Sequence, residues 1–184
     1  MIVISDTSPL NYLILIGEEE LLPKLFGRVV VPNAVFDELQ AVGASEKVSQ
    51  WANNLPEWIE VKQTELTADE SLDILDAGER EAILLAQELA ADLLLVDDRQ
   101  ARQAATALGI NITGTIGILD KAASEGLIDL KSAVEKIQNT NFRISDDVVR
   151  KLIEENEKRG SREKFLKVLS KVPKAEPDKD DKID

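Results

Sequence analysis

Four short stretches of the chain place carboxylates where a parallel α/β sheet could use them. Asp6 follows the apolar run MIVIS, Glu38 sits in PNAVFDELQ, Glu79 and Glu81 open LDAGEREAI, and Asp97 and Asp98 end LLLV before RQAR. Cysteine and histidine are absent. Thiol nucleophiles, disulfides and Ser-His-Asp catalysis are therefore excluded, along with nearly all zinc chemistry. What remains is carboxylate chemistry, and the hard oxygens of carboxylates suit Mg²⁺ or Mn²⁺.

Each acid also has an ordinary explanation. Ser8 could cap a helix with Pro9 in its first turn, leaving Asp6 in a turn. Asp76 and Glu79 fit a capping box, Asp97 could cap the helix after it, and Glu38 could be a solvated helix residue like Asp37. The conjunction is harder to explain that way. Two strand ends carry Asp at one sheet edge, and two neighbouring helices can present Glu to it. Converging carboxylates repel one another unless a cation joins them, so the pattern predicts a site for one or two Mg²⁺ or Mn²⁺ ions.

The elements that must position these residues are legible. MIVIS (1–5), RVVV (28–31), WIEVK (58–62), LLLV (93–96) and INIT (110–113) read as strands, with amphipathic helical segments between them. DAGEREAILLAQELAA (76–91) is the clearest helix. This alternation predicts an α/β fold with a parallel sheet and helices on both faces, where ligands bind beyond the carboxyl ends of the strands. Past residue 126 the pattern turns helical: LIDLKSAVEKIQ and SDDVVRKLIEENEKRG read as two helices and FLKVLSKV as a short third. The polar end PKAEPDKDDKID reads as disordered.

With 184 residues, 43% of them hydrophobic, the chain suits one domain with a short appendage. The net charge of −13 opposes autonomous binding of nucleic acid at long range, but not catalysis on it. No run is long and apolar enough for a membrane span, and no signal-peptide pattern opens the chain, so a cytoplasmic location without membrane contact is expected. Ten of the 22 basic residues fall between 143 and 174. They read either as a solvated helical surface or as an arm gripping RNA or a protein. The stripe Val148, Val149, Leu152 and Ile153 suits packing on the body or on a second subunit.

DTSPLNYL, VVVPNAVFDEL, LDAGEREAILLAQE, LLLVDDRQAR and GINITGTIGILDKAASEGLI, in this order, resemble a PIN-domain protein of the group similar to VapC-type toxins. The resemblance spans about residues 1–128, leaving 129–172 as a C-terminal helical extension and 173–184 as a tail. It implies a PIN-like five-stranded parallel sheet and a divalent-cation-dependent endoribonuclease acting on RNA. It also implies a toxin paired with an antitoxin protein, and a homodimer. The family's acids map onto Asp6, Glu38, Glu79 and Asp98, with Ser8 as a supporting hydroxyl. Asp98 is preferred to Asp97 because many relatives place the acid second after the strand. At the helix opening the family carries Asp where this chain has Glu. Glu79 and Glu81, about 200° apart on a helix, cannot both face the cleft, and the match favours Glu79.

Three further residues are candidates for substrate contact. Arg99 and Arg102 fall at a helix start, where cations oppose the macrodipole. Either neighbouring acids offset this, or one arginine steers a phosphate. Thr115 could touch substrate or a water at the metal. The alternative to a nuclease is an inactive PIN-like binding or regulatory module. A phosphotransfer receiver would want a Lys after the fifth strand, where this chain has GTIGIL.

Overall fold

Which strands neighbour one another decides where a crevice opens. The structure, a computed structural model, describes residues 1–67 and 70–169, with side chains at all of these except 71 and 161–169. The order along the chain is β1 (Val3–Ser5), α1 (Thr7–Ile16), α2 (Leu21–Phe26), β2 (Val29–Pro32), α3 (Asn33–Gln40), α4 (Glu46–Ala52) and β3 (Ile59–Lys62). Then come α5 (Ala77–Glu88), β4 (Leu93–Leu95), α6 (Arg99–Ala107), β5 (Ile112–Thr113), α7 (Thr115–Ser124), α8 (Leu130–Gln138) and α9 (Asp146–Leu169). All five strands are parallel, in the order β3-β2-β1-β4-β5. This is the α/β class expected, and the order differs from the 2-1-3-4-5 winding of receivers.

The sheet winds outward from β1 in one direction and from β4 in the other. The connections leaving these adjacent strands diverge, which opens a crevice at their carboxyl ends. Ser5 is in register with Leu95, and the Asp6 N–H donates to the Leu95 carbonyl at 2.9 Å. Asp6 and the Asp97–Asp98 pair therefore leave the sheet side by side.

Side chains alternate across the short strands, of which β1 and β2 are buried throughout. Val3, Val29, Val31 and Leu95 face a core built with α1, α2, α4, α7 and α8. Ile4, Val30, Leu94 and Val96 face α5 and α6, where Ala101 and Ala105 let α6 lie close. α8 contributes Leu130, Ala133, Val134 and Ile137 to the first core, so the extension beyond residue 128 packs as part of the body. Val149 and Leu152 of α9 pack against the same core, while Val148 is exposed.

Most strands are shorter than the apolar runs suggest, and β2 is shifted by one residue to Val29–Pro32. Ser8 was one candidate for the cap of α1. The cap is Asp6, whose carboxylate accepts from the Ser8 N–H, and Pro9 occupies the first turn, where it removes no helix bond. The two helices expected over 145–160 and 165–172 are one helix, α9, through residue 169. Gly160 costs a helix only about 1 kcal/mol relative to Ala, and the next proline is Pro173. The tail 173–184, and the side chains of the basic run from residue 161 onward, lie outside the described residues. Among the described residues no helix is long and apolar enough to cross a membrane.

Candidate active site

Asp6 anchors the crevice. It ends β1, caps α1 and is 2% exposed. Burial pushes its carboxyl up to about 7; the N–H groups of Thr7 and Ser8 oppose this, and Asp76 and Glu38 add to it. Its N–H extends the β1–β4 pairing to the Leu95 carbonyl, which anchors the backbone of this residue at the sheet edge.

Glu38 reaches the same place from α3. Its Oε2 accepts a short hydrogen bond from the Thr7 hydroxyl, and its Oε1 accepts from the Gly78 N–H at 2.9 Å. Gly78 is at the start of α5, where unpaired N–H groups favour an anion. A Cβ at Gly78 would lie 2.6 Å from Oε2 and 2.7 Å from Oε1 of Glu38. Glycine is therefore required for this carboxylate to reach the helix end.

Glu79 and Glu81 part ways, as their angular separation requires. Glu81 Oε2 accepts from the Ala34 N–H at 3.0 Å at the start of α3. α3 and α5 thus exchange carboxylates: Glu38 serves the N-terminus of α5, and Glu81 serves that of α3. Glu79 lines the cleft. Its carboxyl is pushed up to about 7, by burial first and then by Asp76, Asp98 and Asp6, while the Asp76 N–H opposes the shift. Asp76 caps α5, accepting from the Glu79 N–H at 3.1 Å. The expected capping box and the acidic cluster are thus built from the same residues. Asp76 was considered from sequence as a cap alone, yet it acts on both Asp6 and Glu79.

The two aspartates after β4 also divide. Asp98 is exposed, lines the cleft and caps α6, its Oδ1 accepting from Gln100 at 2.6 Å and Ala101 at 3.0 Å. Asp97 turns to α7, accepting from the Thr115 N–H at 2.8 Å and from the Thr115 hydroxyl. Burial raises the Asp97 carboxyl, against the pull of Thr115 and Arg102. Gly114 keeps this bridge open, since a Cβ there would lie 2.5 Å from Asp97 Oδ1. Thr115 is fully buried and holds Asp97. Arg102 donates to the Val96 carbonyl at 2.9 Å, so its guanidinium is tied to the end of β4. Arg99, exposed, lines a neighbouring groove between α6 and Ile112 of β5 that shares Asp97 with the cleft.

The acidic cleft, about 550 Å³, is lined by Ser8, Tyr12, Glu79, Asp98 and part of Asp97, and is closed by Asn141, Phe142 and Arg143 from the segment between α8 and α9. No sequence signal singled out this closing segment, and Asp76 stood out from sequence only as a cap. The hydroxyl beside Asp6 in DTS is the only local hint of Thr7.

Asp6, Glu38, Asp76, Glu79 and Asp98 form an electrostatically connected group of oxygen donors. The charged groups that act on Asp6 and Glu79 are themselves acids. By donor type and mutual repulsion the group fits a hard divalent cation. As the side chains stand, no three His, Cys, Asp or Glu among the described residues are drawn together tightly enough to hold one. The hydrogen bonds that hold Glu38 and Asp98 to helix ends are the ones that would have to adjust.

A family model described as PIN domain (DUF3368) matches residues 2–158, and the chain belongs to the PIN-domain family. PIN domains are in general nucleases. The match runs through α8 and into α9. Among solved structures, the chain is similar to a PilT N-terminus domain protein, SSO1118, from the hyperthermophilic archaeon Sulfolobus solfataricus P2. The two share 18% identity with a TM-score of 0.48, over 79% of this chain and 100% of that one. No curated protein matches the sequence.

Proposed function

We propose that this chain is a divalent-metal-dependent endoribonuclease in which Asp6, Glu38, Glu79 and Asp98 hold one or two Mg²⁺ or Mn²⁺ ions, with Asp76 beside them. The observation that carries the reading is the state of Asp6 and Glu79. Both sit among acids with carboxyls raised to about 7, the electrostatic condition a cation would relieve. A bound ion would supply a more acidic water and stabilise charge on the phosphodiester. The chain's own part is positional. Thr7 and Gly78 fix Glu38, the β1–β4 ladder fixes Asp6, and the Asp97–Thr115 bridge fixes the loop that carries Asp98.

The motifs similar to VapC-type toxins support a further assignment, as the toxin of a toxin–antitoxin pair that works as a homodimer. A basic side chain from an antitoxin, inserted among these acids, would block the cleft. The test is cleavage of labelled single-stranded RNA by the full chain with Mn²⁺, with Mg²⁺ and with EDTA, beside Asp6→Asn. Cutting that needs the cation and is lost in the variant is expected. Cutting that survives EDTA, or that Asp6→Asn retains at the wild-type rate, contradicts the assignment.

A further inference from the structure

The acidic cleft has one basic residue in its lining, Arg143. Its position is built rather than incidental. After α8 the Thr140 hydroxyl donates to the Ile137 carbonyl at 2.6 Å and accepts from the Phe142 N–H at 3.1 Å, fixing the turn. Phe142 then docks edge-on against Tyr12 of α1, with ring centroids 4.8 Å apart at 85°. The next residue, Arg143, is carried over the cleft beside Tyr12. Among the described residues its guanidinium makes no ion pair, whereas Arg102 is tied to the Val96 carbonyl.

Arg143 and Phe142 also line a second groove, about 590 Å³, between the Thr113–Gly117 segment and residues 144–148. Its walls combine Ile112, Ile116, Ile144 and Val148 with the charged Asp97 and Arg102. Arg143 therefore stands where an acidic cleft meets a partly apolar groove. A single-stranded nucleic acid has matching parts: phosphates that need a cation, and bases with apolar faces.

Building on the ribonuclease reading, we propose that Arg143 grips a backbone phosphate of single-stranded RNA next to the one at the acids, directing the strand into the Thr113–Val148 groove. In a protein with net charge −13, a positioned guanidinium supplies the local attraction that the overall field denies. The planar fork of Arg suits a phosphate better than an ammonium does.

The experiment measures anisotropy of a fluorescein-labelled 15-nucleotide single-stranded RNA over a KCl series. It uses the full chain carrying Asp6→Asn, so that the RNA stays intact, and in parallel the wild-type chain in EDTA. Arg143→Gln is expected to weaken binding about tenfold and to flatten the slope of log K against log salt by about 0.7, the contribution of one phosphate contact on a single strand. Arg143→Lys should restore the slope but not the full affinity. Lys131→Gln, which removes an exposed charge from α8, should change neither. If the parent binds RNA and Arg143→Gln matches it in affinity and slope, the proposal is overturned while the ribonuclease reading stands. If the parent does not bind RNA, the proposal is overturned, and if the wild-type chain with Mn²⁺ also fails to cut it, the ribonuclease reading falls too.

Discussion

The N–H of Gly78 meets the Glu38 carboxylate at 2.9 Å, and there is no room for a methyl group between them. Gly78→Ala therefore does two opposite things. It adds helix propensity of about 1 kcal/mol, and it drives the Glu38 carboxylate away from Thr7 and the helix end. Because a side-chain terminus can yield, the melting temperature should move by only a few degrees. Cleavage should fall roughly tenfold to a hundredfold, the scale of loss for a displaced site group. A fully active Gly78→Ala protein would show that Glu38 need not sit there.

Glu79 and Glu81 should separate by phenotype. Glu81→Ala leaves the start of α3 without its acceptor and should cost about 1 kcal/mol of stability, seen as a lower urea midpoint with RNA cutting preserved at low temperature. Glu79→Gln should abolish cutting without loss of stability, since it removes an acid that its neighbours repel. The reverse pattern would exchange their roles.

Thr115→Val tests the bridge to Asp97. It removes the hydroxyl while keeping the shape, leaving a largely buried carboxylate short of a partner. The expected cost is about 1–3 kcal/mol. The stabilisation by Mn²⁺ should weaken only in part, because the bridge steadies the loop that carries Asp98 but makes no bond to Asp6, Glu38 or Glu79. Loss of the Mn²⁺ effect in a folded Thr115→Val protein would bring Thr115 back into the metal site.

The raised carboxyls of Asp6 and Glu79 set a pH dependence. In the unfolded chain both titrate near 4, and in the folded protein near 7. Between these values the folded state holds more protons than the unfolded one, so these groups make stability fall as pH rises from about 4 to 7. Asp6→Asn should therefore gain on the wild type between pH 5 and pH 8, measured as the difference in urea midpoints. A difference that does not change with pH would mean that Asp6 ionises normally.

Much of this was readable from the chain. Strand and helix alternation gave the parallel sheet, and the order of the acids gave the edge at which they gather. The residues that divide labour within each pair were not readable in the same way. Asp97 and Asp98 are adjacent in sequence, and only the position of α7 shows that the first is claimed by Thr115. Glu81 looks like a metal acid until α3 is seen to start against it. Arg143 is one of ten bases in a charged C-terminal stretch, and it becomes distinct only because the Tyr12–Phe142 contact folds that stretch back over the cleft. Periodicity reports which face of an element is buried, but not which distant N–H a carboxylate will meet. The continuity of α9 across Gly160 is not visible in the pattern of SDDVVRKLIEENEKRG and FLKVLSKV, which reads as two separate helices.

The central claim is that the crevice between β1 and β4 is a cation site, and Mn²⁺ titration at pH 8 followed by melting temperature tests it most directly. For the wild type and for Glu81→Gln, the melting temperature should climb with Mn²⁺ as RT ln(1 + [L]/Kd) requires. At pH 5, where protons occupy the same carboxylates, the climb should shrink. Asp6→Asn should show little response at either pH. A wild-type protein whose melting temperature ignores Mn²⁺ at pH 8, or an Asp6→Asn protein that responds as strongly, would contradict the account and favour a PIN-like module that binds without cutting.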